Sequence, residues 1–331
     1  MRYSQVLITG GYRMADVGFN QLCNWLRFRH LVLIDTLART QNMHATAQEM
    51  SISQPAVSKM LREIEHQLGF EVFARLPRSM TLTDLGSHVA RFAQIALNDT
   101  GQFVSQINHL RQGGHGLIKV GTIYAATALA VPAAIVRVKQ DWPLLTVQVL
   151  EGTSANMLTL LEHKELDLVV ARFTLDRHRE LFDFQALAPE PLCLVTGSQH
   201  PLAGASEVPL ADLGSWPWVI YPTGTPMRAR VEKAFVEAGM QTPENTVETV
   251  SLQTTMQLLQ TTPSVAMLAE SMVEPEIQAG RLTRLALPFP LVLADYGVIT
   301  RRNDVPQWSA KAFIDALLSG PDALRGARQT P

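Results

Sequence analysis

The sequence predicts a two-part α/β chain: a helix-rich head built as a winged helix-turn-helix, followed by a larger α/β domain. Three observations predict it. Residues 53–68 carry two faces at helical spacing, one apolar and one polar and basic. Residues 84–112 form one long helical stretch that ends at Gly113-Gly114-His115-Gly116. From Leu117 onward, short apolar runs alternate with helical stretches, the rhythm of a parallel sheet covered on both faces.

Bulk composition permits this architecture. The 331 residues are 47% hydrophobic and 18% charged, enough apolar material for two or three domain cores and too much for a disordered tail. No apolar run approaches the roughly 18 residues of a membrane span. The opening stretch holds only Val6-Leu7-Ile8 before Gly10-Gly11, too short for a secretory signal, so a cytoplasmic location without a membrane partner is expected. Cys23 and Cys193 are far apart in sequence and fit neither a disulfide framework nor a zinc site. The net charge of −2 is unevenly spread: residues 24–112 carry nine basic against seven acidic side chains, the first 23 residues add +1, and the remainder carries −5. A mildly basic head on an acidic body fits a head that meets DNA.

Residues 1–23 show no sustained period and are read as an extension. From Trp25, the residues Leu26, His30, Leu33, Ile34, Leu37 and Ala38 recur at helical spacing. Thr40-Gln41-Asn42 breaks that helix, and a short second one fits His44 to Met50. Ser51-Ile52 then leads into a third helix, Ser53 to Leu68, which stops at Gly69. Ser53 suits the N-cap, and Pro55 falls in the first turn, where a missing N–H costs nothing. Val57, Leu61, Ile64 and Leu68 make the apolar stripe. Gln54, Ser58 and Arg62, flanked by Lys59, make the polar face, with groups able to read base edges and grip phosphates in a major groove. After Gly69, Glu71-Val72-Phe73 and Met80-Thr81-Leu82 read as paired strands of a wing. Its tip holds Arg75, Pro77, Arg78 and Ser79, suited to a phosphate backbone. An ordinary helical bundle with a basic surface loop would read similarly.

Thr83-Asp84 caps the long helix to Gln112. Leu85, Val89, Phe92, Ala96, Phe103, Ile107 and Leu110 leave a near-heptad seam on it, which points to dimerisation; packing on its own domain is the alternative. Beyond the glycine break, strands are expected at Ile118–Ile123, Leu145–Leu150 and Asp167–Ala171, with helices to about Gln140 and over Ser154–His163. A second unit runs from the strand Trp218–Ile220 through helices Pro226–Ala238 and Leu252–Thr261 to a strand at Val265–Leu268. A strand over Ala294–Thr300 and a helix over Trp308–Leu318 close the chain.

The stretch RHLVLIDTLART…HATAQEMSISQPAVSKMLREIEHQLGFEVFARLPRSMTLTDLG resembles the DNA-binding head of LysR-type transcription regulators. The carrying residues are Ser53-Gln54-Pro55-Ala56-Val57-Ser58, Leu61, Ile64-Glu65, Leu68-Gly69, Phe73, Arg75, and Thr81, Thr83 and Gly86. Weaker similarity covers LIKVGTI, EGTSANMLTLLEHKELDLVVAR and LVTGSQHPLA, so nearly all of residues 25–318 is included. The opening also resembles regulators of sugar-binding-protein and aromatic-acid catabolic genes. The resemblance implies a winged helix-turn-helix at 24–83, a linker and dimerisation helix at 84–112, and an effector-binding domain at 113–331. That domain would be folded like a periplasmic binding protein, with lobe 1 at about 117–195 and 270–318, lobe 2 at about 197–268, and a cleft between. It further implies a dimer of dimers on double-stranded promoter DNA, a small-molecule effector (sugar-derived, or an aromatic or organic acid), and contact with RNA polymerase. Ser53, Gln54, Pro55, Ser58, Lys59, Arg62, Arg75 and Arg78 are the DNA-binding candidates.

Ligands of open α/β sheets gather at the carboxyl ends of strands and at helix N-termini. That rule selects Thr122 and Tyr124 after the first strand, Thr153 and Ser154 after the second, and Thr223, Thr225 and Arg228 at the opening of a lobe 2 helix. Arg172, at the end of the third strand, suits a ligand carboxylate. The alternatives are a salt bridge for each arginine, helix capping for the hydroxyls and lobe packing for Tyr124. Two other functions compete. A solute-binding protein would need the N-terminal helices to be incidental. An enzyme would need a site, but His44, His66, His115 and His163 are scattered and HExxH, G-x-S-x-G, Gly-x-Gly-x-x-Gly and P-loop patterns are absent. No catalytic residue, metal site or cofactor is expected.

Overall fold

A computed structural model describes residues 17–76, 79–205, 207–287 and 291–319. The chain divides into two compact units at Phe103/Val104.

The first unit opens with α1 (Phe19–Trp25), a helix that begins inside the 23-residue extension, to which the sequence assigns no element. Next come α2 (Phe28–Thr40), α3 (Met43–Glu49), α4 (Gln54–Leu68), β1 (Phe73–Arg75), β2 (Met80–Leu82) and the long α5 (Asp84–Arg111). The continuous helix expected from Trp25 is broken at Leu26-Arg27, both extended. The physical reason is local: the His30 ring accepts the Arg27 N–H at 3.3 Å and fixes Arg27 as the cap of α2. Trp25 and Leu26 keep the helical spacing because both still pack on the core of Leu33, Ile34, Leu37, Val57, Leu61 and Ile64.

The turn into α3 is held by Asn42, whose Oδ1 accepts from His44 N (2.8 Å) and Ala45 N (3.1 Å). Ser53 caps α4 by accepting Ala56 N–H, and Gly69 ends it at φ 78°. The wing strands pair antiparallel, Phe73 with Leu82 and Arg75 with Met80. The first strand starts two residues later than expected. Glu65 Oε1 takes the N–H groups of both Val72 (3.0 Å) and Phe73 (3.2 Å), and Val72 O accepts from Thr83 N, so residue 72 is tied to α4 and to the start of α5. Gly86 is required there: a Cβ would stand 1.9 Å from Val72 O. Along α5, Val89, Ala96 and Leu97 pack on the core of the head, whereas Leu85, Phe92, Phe103, Ile107 and Leu110 are exposed.

The second unit is α/β. It contains β3 (Leu117–Thr122), α6 (Tyr124–Thr127), α7 (Ala130–Asp141), β4 (Thr146–Glu151), α8 (Ser154–Glu162), β5 (Leu168–Ala171), α9 (His178–Leu181) and the long β6 (Phe182–Gly197). Then follow β7 (Trp218–Ile220), α10 (Pro226–Glu237), β8 (Thr246–Glu248), α11 (Leu252–Thr261), β9 (Val265–Ala269), α12 (Glu270–Gln278), β10 (Leu282–Leu285), β11 (Leu291–Arg301) and α13 (Trp308–Leu318). The sheet order is β4-β3-β5-β11-β6-β9-β7-β8, with β10 beside β6. The helix expected to about Gln140 is split at Leu129, whose φ −145° and ψ −54° leave the helical region.

Two parallel triplets, β4-β3-β5 and β8-β7-β9, form the two lobes. The antiparallel pair β6 and β11 joins them. β6 pairs with β11 from Phe182 to Leu192, and β11 also pairs with β5, while β6 from Leu192 to Gly197 pairs with β9 and β10. The lobe boundaries expected at 270–318 are thereby corrected at one end. Leu282–Leu285 lies against the lobe 2 end of β6, and α12 packs on β9 and β10, so the chain returns to lobe 1 only along β11. Among the described residues no helix is long and apolar enough to cross a membrane, and no cluster of His, Cys, Asp or Glu has the makings of a metal site.

Candidate nucleic-acid face and ligand cleft

In the head, the apolar stripe of α4 is fully buried at Val57, Leu61 and Ile64, which turns the opposite face outward. Ser53, Gln54, Pro55, Lys59 and Arg62 are exposed and Ser58 is half-buried, so the six α4 candidates share one accessible side. Lys59 lies 3.9 Å from Glu63, a loose surface pair that leaves its charge available. Arg75 is exposed at the end of β1, with Nη2 4.0 Å from Glu65 Oε2. Arg78 lies outside the described residues. In the sequence, Glu65 stands out only through the family resemblance. Its role in fixing the wing to α4 depends on backbone groups seven and eight residues away and has no local signature.

In the second unit, a cavity of about 60 Å³ lies between the lobes. The first lobe contributes Tyr124 at the start of α6, Thr153 and Ser154 at the start of α8, and Arg172 after β5. The second lobe contributes Tyr221 and the start of α10, Thr225 to Met227. Glu190 of β6 and Leu293 of β11 come from the joining strands, and Met272 from α12.

Several hydroxyls serve the fold as well as the wall. Thr153 Oγ1 accepts from Asn156 N and Thr225 Oγ1 from Arg228 N, each capping its helix. Ser154 Oγ accepts from Arg172 N at 3.4 Å. Three of the expected residues do not line the cavity. Thr122 is buried in the sheet, its hydroxyl donating to Ile123 O. Thr223 is absent from the wall. Arg228 is engaged by two carboxylates, Nε to Glu232 Oε1 at 2.6 Å and Nη1 to Glu248 Oε1 at 2.8 Å. Arg172 does reach the cavity, but as half of an ion pair with Glu190 and not as an open carboxylate receptor.

That pair is the electrostatic centre of the cleft. Arg172 Nε donates to Ala294 O at 2.6 Å, Nη2 bonds Glu190 Oε2, and the guanidinium carbon stands 5.5 Å from the Tyr296 ring centroid. Ala294 lies within a register shift of β11, where the carbonyl is outside the ladder and takes the arginine N–H instead. Burial raises the Glu190 carboxyl above the usual glutamate range, and Arg172 pulls it back. Burial also raises the hydroxyls of Tyr124 and Tyr221, with Glu151 adding to both, so they stay protonated donors. Glu190 had no sequence signal of its own because it lies inside β6, whereas Tyr221 directly follows β7, a strand end that the same rule reaches.

Comparison with known proteins follows the same division. The model of the bacterial regulatory helix-turn-helix proteins of the lysR family matches residues 28–87, and that of the LysR substrate binding domain matches residues 111–321. Among curated relatives, the HTH-type transcriptional regulator GbpR of Azospirillum brasilense is 27% identical, over 93% of this chain and 92% of its own length. The HTH-type transcriptional regulator PcaQ of Agrobacterium fabrum is 25% identical, over 92% and 97%. In fold, the chain is similar to the crystal structure of CbnR, a LysR family transcriptional regulator, with a TM-score of 0.64 at 19% identity over 89% of this chain and 99% of that one.

Proposed function

The chain belongs to the LysR family of DNA-binding transcription regulators with a substrate-binding effector domain, and from that premise we propose how its residues divide the work. Gln54 and Ser58 read base edges in the major groove, and Ser53 and Pro55 set the start of the reading helix. Lys59, Arg62, Arg75 and Arg78 hold phosphates. The observation that carries this reading is the single exposed side of α4 on which the candidates lie, opposite a fully buried stripe. Residues 24–83 act as the head, 84–112 as linker and dimerisation helix, and 113–331 as the effector domain.

The cleft holds a small effector against Tyr124, Thr153, Ser154, Arg172 and Thr225. Its wall draws on both lobes, so an effector held there touches each of them. The joining strands β6 and β11 carry the Arg172 partners, Glu190 and Ala294, and movement of one lobe against the other is felt there. The exposed seam of α5 pairs with a second copy, and two such dimers occupy a promoter and meet RNA polymerase in the cytoplasm. The relatives are regulators, and the chain has no enzymatic activity of its own in this reading. Selection of genomic fragments by the purified protein, followed by fluorescence anisotropy on the enriched sites, tests it. Salt-sensitive, sequence-selective binding is expected, and a protein that enriches no fragment at low salt defeats the proposal.

A further inference from the structure

The charge balance of the cleft points to the chemistry of what it binds; the inference rests on reading the cleft as the effector site. Arg172 and Glu190 are the only charged residues on the cavity wall among the described residues. Their side chains are 8% and 5% exposed. The guanidinium is held by Ala294 O, by Glu190 Oε2 and by the Tyr296 ring. Arg172 Nη1 and Glu190 Oε1 make no hydrogen bond among the described residues. A fixed donor and a fixed acceptor therefore stand side by side on one wall, with their charges cancelled.

An acidic ligand meets no uncompensated cation here. Arg228, beyond the wall, is already held by Glu232 and Glu248. Glu151 acts on both Tyr124 and Tyr221, adding negative charge at the cleft. The first turns of α8 and α10 offer about half a positive charge each, and one N–H of each is taken by its own threonine cap. A hydroxyl, which both donates and accepts, complements the wall where a carboxylate, which only accepts, opposes Glu190. Two hydroxyls on neighbouring carbons match the paired donor and acceptor. The hydroxyls of Tyr124, Thr153, Ser154 and Thr225 extend the same chemistry around the cavity, while Met227, Met272 and Leu293 supply an apolar side. We propose that the effector is an uncharged polyhydroxylated molecule whose vicinal hydroxyls bridge Arg172 Nη1 and Glu190 Oε1, and not an organic acid.

The test uses the full chain and matched neutral and acidic probes: glucose with gluconate and glucuronate, galactose with galactonate, arabinose with arabinonate, benzyl alcohol with benzoate. Thermal shift locates binders and calorimetry gives Kd. At least one sugar is expected to raise Tm while its acid partner at equal concentration does not. Glu190→Gln is expected to weaken the sugar by about tenfold or more, the loss of a bond to a charged group, and to admit the acid partner to the exposed charge of Arg172. An acid that binds the unmodified protein more tightly than its neutral partner overturns the proposal, and so does a panel in which no sugar binds. The unmodified comparison stands on its own if Glu190→Gln fails to fold. Leu293→Trp, which fills the cavity, separates the two readings. A sugar shift that survives it defeats the cleft as the site while leaving the ligand class intact.

Discussion

Gln54 is the residue on which sequence reading of the DNA site turns. It is exposed in the first turn of α4, and an amide is able to pair with an adenine edge. Gln54→Ala should cost about 1–3 kcal/mol on the cognate site and much less on random DNA; equal losses in parallel anisotropy titrations would show that Gln54 is not a reader. The two cysteines differ just as sharply. Cys23 is exposed, whereas Cys193 is buried in β6 and its thiol is pushed up to about 12. A thiolate is the reactive form, so at pH 8 a maleimide should label Cys23 rapidly and Cys193 only after unfolding. Rapid double labelling of the native protein, read by mass spectrometry, would contradict the burial of Cys193.

At the level of elements, the head was legible where its signals are local. The caps Ser53 and Gly69, the stripe of Val57, Leu61 and Ile64, and the cap of α5 at Thr83 all act within a turn or two of chain. The long β6 was not legible. Proline has no N–H to give a ladder, so Pro189 and Pro191 carry no strand signal, and the pairing that makes them strand residues comes from β11, β9 and β10, far downstream. The cleft divides the same way. Thr153, Ser154 and Thr225 announce themselves at helix starts after strands, but Glu190 acquires its role only when Arg172 is folded against it. The wing gives a test of an element held from a distance. Glu65→Ala leaves the Val72 and Phe73 N–H groups without their acceptor, at about 1–3 kcal/mol for each group left buried and unpaired, and should weaken DNA binding through a displaced wing. Glu65→Gln keeps one acceptor oxygen and should cost less. If both variants match the unmodified protein in urea midpoint and in DNA affinity, the tie between wing and helix is unimportant.

At the scale of the whole molecule, the proposed assembly rests on the exposed side of α5. Phe103, Ile107 and Leu110 carry large apolar side chains on one helix and are 63%, 39% and 48% exposed in the single chain. Apolar area left in water at about 25 cal/mol per Å² is a standing drive toward a partner, and the near-heptad spacing fits a second helix of the same kind. Placing a carboxylate in that seam opposes pairing twice, by desolvation and by repulsion from its own copy across a symmetric interface. Ile107→Asp should therefore lower the sedimentation mass toward a monomer at concentrations where the unmodified protein is a dimer or larger. DNA binding supplies the second half of the argument. A dimer neutralises phosphates with two heads, so log K falls with log salt at a slope of about 0.9 per phosphate contacted. A variant confined to one head should lose about half of that slope, whereas damage to the head itself would lower affinity without removing half the contacts. Sedimentation and salt slopes measured on the same Ile107→Asp preparation distinguish the two. An undiminished mass with an undiminished slope would mean that the seam of α5 is covered by something other than a second copy.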